Sequence, residues 1–198
     1  MQNRFLILVV FFSNLFFGEC NLNSNLLSNF FESNSSFQSE FIQVFEEKEK
    51  PNVSGEILIK RPNHLKIFLK PPLNSELIIN QDYIFQTDFD LDQTIRYEKD
   101  AMIDFIPAGF LLLSKEEFCE GFIMDICDNK ECVIRQKNND NKIEIFFKDL
   151  KIEQLNFSGP KYDETKILFG NMTLMNDINE SAFSYNQEVK DLLIIDKK

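Results

Sequence analysis

The stretch Gly55 to Leu69, GEILIKRPNHLKIFL, constrains this chain more than any other. Ile57 and Ile59 recur at period two, as do Leu65, Ile67 and Leu69, and Lys60-Arg61-Pro62-Asn63 joins the two runs. Side chains alternate faces along a strand, so this pattern predicts two paired strands with one apolar face. Counting on from Ile57 and Ile59 puts Arg61 on that same face. A guanidinium there must either find acceptors or snorkel out to water.

The same period recurs along the chain. Phe37, Phe41 and Phe45 share one side of a run from 37 to 45. Further strands are expected near 53–60, 65–70, 76–79, 83–87 and 93–97, mostly set apart by Pro, Asn or Asp. Others are expected at 122–127, 132–137, 142–148, 151–157 and 166–174, with a short last one at 183–185. Leu22, Leu26, Leu27, Phe30 and Phe31 instead have the spacing of one helical face. Residues 100–118 also break the rhythm: Met102, Ile103, Phe105 and Ile106, then Phe110 to Leu113 after Pro107, read as one or two short helices. The expected fold is mainly β, with about 11 antiparallel strands in a curved sheet and helices laid on its concave side. Phenylalanine accounts for 22 residues, and an inner face this apolar must be either filled or covered.

Residues 1–20 stand apart. Arg4 precedes an apolar run to Phe17, and Gly18-Glu19-Cys20 ends it with small residues placed for cleavage after Cys20. This is the pattern of a signal peptide, too short and too interrupted by Ser13-Asn14 for a membrane span. Reading Cys20 as a lipidated cysteine is weaker, because Glu19 stands where a small residue is wanted. Residues 21–198 are then expected to form one exported, soluble domain. Such a domain keeps Cys119, Cys127 and Cys132, an odd number that leaves a thiol free or paired between chains. Cys127 and Cys132 flank a hairpin-like Asp128-Asn129-Lys130-Glu131; a bridge there and two buried thiols are equally open.

Chemistry is hard to find. The net charge of −11 argues against nucleic acid as a partner. His64 is the one histidine, and no G-x-S-x-G setting exists for it to serve. The cysteines lack C-x-x-C spacing, so no metal site is expected, and no G-x-x-x-x-G-K or G-x-G-x-x-G is present for a nucleotide. With 32 Asp and Glu some carboxylates will always lie close, so a sugar-hydrolysing pair carries little signal. The chain reads as a binding protein for something apolar, with no enzyme activity and no cofactor.

Four stretches together resemble a known family: Ser36-Phe37-Gln38-Ser39-Glu40-Phe41-Ile42-Gln43, Gly55 through Asn63, Asp92-Gln93-Thr94, and Ala182-Phe183-Ser184-Tyr185. They are similar, in order, to the outer-membrane lipoprotein carrier protein (LolA) family, with K-R-P-N as the most specific part. The resemblance implies an incomplete antiparallel β-barrel with a lid of short helices over an apolar cavity. It also implies a monomeric periplasmic chaperone that takes acylated lipoproteins from an inner-membrane ATP-driven release complex and delivers them to an outer-membrane receptor lipoprotein. Arg61 falls on the family arginine that latches the lid, so its expected acceptors are carbonyls of residues 106–113. The acyl-chain cavity is expected to draw on Phe37, Phe41, Phe45, Ile57, Ile59, Leu65, Ile67 and Leu69 from the sheet, and on Ile106, Phe110, Leu111 and Leu113 from the lid. The chain departs from the family in having no tryptophan, with Ile67 after the turn, and in Asn80-Gln81-Asp82 where a D-G turn is usual. An outer-membrane receptor of the same fold, and an exported half-barrel that binds other lipids or senses envelope stress, are the alternative readings.

Overall fold

A computed structural model of the chain describes residues 25–33, 35–47, 49–99, 107–160, 162–185 and 191–195. The expected signal peptide and residues 100–106, Ile106 among them, lie outside the described residues. The chain opens with helix α1 (Asn25–Ser33) and then makes six strands: β1 (Ser36–Phe45), β2 (Val53–Lys60), β3 (His64–Leu69), β4 (Ser75–Ile79), β5 (Tyr83–Asp88) and β6 (Gln93–Glu98). A 3₁₀ turn (Pro107–Leu112) and helix α2 (Lys115–Gly121) interrupt the strands. There follow β7 (Phe122–Cys127), β8 (Glu131–Gln136), β9 (Lys142–Lys148), β10 (Lys151–Gly159), β11 (Tyr162–Phe169), β12 (Thr173–Leu174), a second 3₁₀ turn (Glu180–Phe183) and β13 (Asp191–Ile195).

All of these strands join one sheet, in the order β13-β6-β5-β4-β3-β2-β1-β11-β10-β9-β8-β7, with β12 paired to β1 beside β11. The sheet is open, because β13 and β7 end the order without meeting. Its inner face gathers Phe37, Phe41, Ile57, Ile59, Leu65, Ile143, Ile145, Phe157 and Ile167 into a single core. Leu26, Leu27 and Phe30 of α1, Leu111 of the first 3₁₀ turn and Phe118 of α2 complete that core from the concave side. A Ser114 capping box starts α2: the hydroxyl accepts from the Glu117 N–H at 3.1 Å, and the Ser114 N–H donates to the Glu117 carboxylate at 2.8 Å. A smaller cluster sits on the opposite face, where Ile178 and Phe183 cover Ile78 and Phe85.

Four expectations need correction. The sheet has thirteen strands where about eleven were expected. The expected 166–174 strand is two, since the chain leaves β1 after Phe169 and returns at Thr173. The expected 183–185 strand is the end of a 3₁₀ turn and the two residues after it, held by Asn179 capping the Ser181 N–H, with Phe183 and Tyr185 packed on the convex face instead of pairing. The last strand, β13, went unread, and it pairs with β6 in parallel, the one parallel pair among the described residues. Of the two open readings of the cysteines, the bridge is the one seen: Cys127 and Cys132 are joined across the β7–β8 hairpin, and among the described residues no cysteine is free.

Two backbone positions generate predictions. Gly55 lies in β2 opposite Leu69 of β3, and a Cβ there would overlap the Phe68 carbonyl oxygen and come within 2.9 Å of the Phe41 ring. Gly55→Ala is expected to destabilise the fold by about 3 kcal/mol, read from urea unfolding midpoints. At the β9–β10 turn, Asp149 and Leu150 both take positive φ, at 50° and 63°, the geometry for which Asn-Gly is suited. Leu150→Gly is expected to raise stability by about 1 kcal/mol in the same assay, since only Leu pays for a left-handed backbone.

Candidate functional site

Strand direction gives the curled sheet two ends. Lys60, His64, Ile79, Tyr83 and Glu98 lie at one, while Val53, Leu69, Ser75, Asp88 and Gln93 lie at the other. The two ends differ in how they are filled.

The first end is plugged around Arg61. Its Nη2 donates to the Phe30 carbonyl at 2.7 Å, and the guanidinium carbon stands 4.3 Å and 4.9 Å from the ring centroids of Phe30 and Phe31. Phe30 belongs to the last four residues of α1, whose carbonyls lack partners within the helix and carry the negative end of its dipole. A cation over two ring faces and a helix C-terminus is thus stabilised twice. Burial pushes the Arg61 pKa down to about 10, so the side chain is still charged at neutral pH. The backbone ties the same turn in place: Arg61 N–H to the Ser35 carbonyl at 2.7 Å and Asn63 N–H to the Leu112 carbonyl at 3.1 Å. Asn63 takes φ 74°, a left-handed value that Asn tolerates, and its side chain accepts from the Lys99 ammonium. One acceptor of Arg61 is therefore on α1; of the expected acceptors, Ile106 lies outside the described residues, and residues 107–113 reach the turn through the Leu112 carbonyl and the Asn63 N–H.

Around this plug the rings pack tilted, edge to face or stacked. Phe30 meets Phe37 and Phe147 at 6.4 and 6.3 Å, Phe31 meets Phe118 at 4.9 Å, and Phe118 stacks on Phe122 at 5.1 Å. Phe37, Ile59, Leu65, Phe110 and Leu111 are all buried here, and Leu113 packs partly against them. Of the residues expected to line an acyl cavity, these belong to a filled core.

The second end is hollow. A cavity of about 280 Å³ lies between the sheet and Ala108, walled by Phe41, Ile57, Ile67, Leu69, Leu77, Ile84, Tyr97, Ile167 and Phe169, with Gln43, Ser75 and Gln86 toward the strand ends. Glu76 also borders it, but it alternates with Leu77, and its carboxylate pairs with Lys66 at 2.8 Å on the far face. Phe41, Ile57, Ile67 and Leu69 thus lie on the cavity as well as on the expected face. Phe45 shares their side but stands beyond the wall at the end of β1, half-buried with the Lys50 ammonium 5.7 Å from its ring. Sequence reading missed Leu77, Ile84, Tyr97, Ile167 and Phe169, although each has inward parity in its own strand. Among the described residues no group of His, Cys, Asp and Glu could hold a metal ion, and no helix is long and apolar enough to cross a membrane.

Comparison with known proteins agrees with this architecture. The family described as "Outer membrane lipoprotein carrier protein LolA" matches residues 32–186, from the end of α1 past the second 3₁₀ turn. An outer-membrane lipoprotein carrier protein of Idiomarina loihiensis is 23% identical over 163 residues, covering 81% of each chain. One from Francisella tularensis subsp. novicida is 29% identical over 151 residues, covering 74% of this chain and 73% of that one. Among solved structures, an uncharacterized conserved protein from Thermus thermophilus superposes with a TM-score of 0.52 at 10% identity, covering 87% of this chain and 97% of that one, which shows the shared fold. With an open curled sheet, a helical cover on its inner face and a family match across most of its length, this chain belongs to the outer-membrane lipoprotein carrier protein (LolA) family.

Proposed function

We propose that this chain is a periplasmic lipoprotein carrier: it takes acylated lipoproteins from an inner-membrane ATP-driven release complex and delivers them to an outer-membrane receptor lipoprotein. The carrying observation is the uncharged, apolar cavity of about 280 Å³ that continues directly into a core closed by helices. Each methylene withdrawn from water contributes about 0.8 kcal/mol, so a long acyl chain has ample reason to enter. The volume sits at the lower edge of ordinary small-ligand pockets, roughly 300–1,000 Å³, so a cargo with several chains must displace the cover.

Displacement has a cost that prevents trapping. It separates α1 and the first 3₁₀ turn from the sheet, exposes Phe30 and Leu111, and breaks the bond from Arg61 to the Phe30 carbonyl. The net affinity is the burial of cargo less this loss, low enough for a receptor with a better pocket to draw the cargo off without nucleotide. Arg61 serves here as the latch that recloses the cover.

Arg61→Leu is expected to bind a triacylated lipopeptide at least as well as the wild type, but to pass it to receptor about tenfold more slowly. Reconstituted transfer with purified receptor checks this, and wild-type handover by the variant would remove Arg61 from the role. Ile67→Trp fills the hollow without touching the plug. It is expected to lower lipopeptide affinity by about tenfold with little change in melting temperature, read by calorimetry.

A further inference from the structure

We propose that the open end of the cavity selects the linkage that carries the acyl chain: it accepts uncharged ester or amide heads and turns away anionic ones. This rests on the reading of the cavity as an acyl site and adds a selectivity to it. The inward positions of β1 and β5 are apolar at Phe41 and Ile84, then change to Gln43 and Gln86 at the same end of the sheet. Ser75 stands beside them at the start of β4. Among the described residues neither carboxamide has a hydrogen-bond partner, though Gln43 is half-buried. A carboxamide offers two N–H donors and one acceptor, the complement of an ester or amide group at the top of a buried chain.

The cations nearby are already paired, and the carboxylates at the rim disfavour an anion. Lys66 is turned to the other face and paired with Glu76 at 2.8 Å, and Lys70, next after Leu69, pairs with Glu40 at 2.8 Å. The Lys50 ammonium beside Phe45 is paired with Glu47 at 2.9 Å. The hairpin that follows Gln86 places Asp88 and Asp90 at this rim, their carboxylates already accepting from turn N–H groups and from Asn74. A phosphate or carboxylate entering here loses hydration, meets no cation in the wall, and works against a net charge of −11. An uncharged glyceryl ester or a cysteine amide meets neither cost.

The test compares two lipids that share a chain and a glyceryl ester: 1-monopalmitoylglycerol and 1-palmitoyl-lysophosphatidic acid, each below its micelle concentration. Displacement of the uncharged probe N-phenyl-1-naphthylamine from the full chain gives the readout. Monopalmitoylglycerol is expected to displace the probe at about tenfold lower concentration, and Gln86→Lys is expected to narrow the gap to about threefold or less. Gln43→Lys provides a second variant at the same rim, and far-UV circular dichroism confirms that each is folded. Equal displacement by the two lipids, or an unchanged ratio in both folded variants, overturns the selectivity while leaving the acyl cavity standing. Displacement by neither lipid overturns the acyl reading, and the selectivity with it.

Discussion

An antiparallel sheet that curls without closing leaves its concave face bare, and most of this structure answers to that constraint. A closed barrel buries its inner face against itself, whereas here β13 and β7 end the sheet apart and the inner Phe, Ile and Leu need another partner. α1, the first 3₁₀ turn and α2 supply it, but they are short: α1 has nine residues and α2 seven. Pieces of this length have little stability of their own and hold their shape by packing on the sheet. Among the described residues they reach over only part of the concave face. What they cover is core, and what they leave is the cavity.

In the proposed carrier cycle, the charge at their junction decides how firmly the cover sits. A buried guanidinium is a poor source of stability, because its desolvation offsets much of what its contacts return. Arg61 recovers part of that loss while Phe30 and Phe31 stand over it and the end of α1 presents its carbonyl. Leucine in its place would pack against either position of the helix with little preference. A charge makes the closed state specific without making it very stable, which is the balance the proposed carrier cycle needs.

Period-two alternation made most of this sheet legible, because parity alone decides which side chains share a face. Ile57, Ile67 and Leu69 were found by counting, and so was the inward turn of Arg61. What counting cannot give is distance along the curl. Phe37 and Phe45 have the same parity as Phe41, yet one is core under Phe30, the second lies past the hollow, and only Phe41 lines it. β13 was invisible for a different reason: Asp191-Leu192-Leu193-Ile194-Ile195 has no alternation to read, and its three central residues are all about half exposed. Phe183 was mistaken for a strand residue because an aromatic that covers a sheet from outside has the same local signature as one within it.

That outer covering bears on the proposed latch. Neighbouring residues of a strand face opposite ways, so while Arg61 turns inward, Lys60 turns out and donates to the Ile178 carbonyl at 3.0 Å, with Glu180 at 3.3 Å. His64, across the hairpin, meets the Phe183 ring at 5.2 Å, and Phe85 stacks on Tyr185 at 5.0 Å. The Arg61 turn is therefore gripped from behind by residues 178–185, which fill the convex face of β2 to β5. A latch works only if one of its halves stays put when the other moves. With the hairpin fastened to both the sheet and this outer segment, the proposed opening falls to the short helices, and the cavity widens while the strands that wall it keep their register.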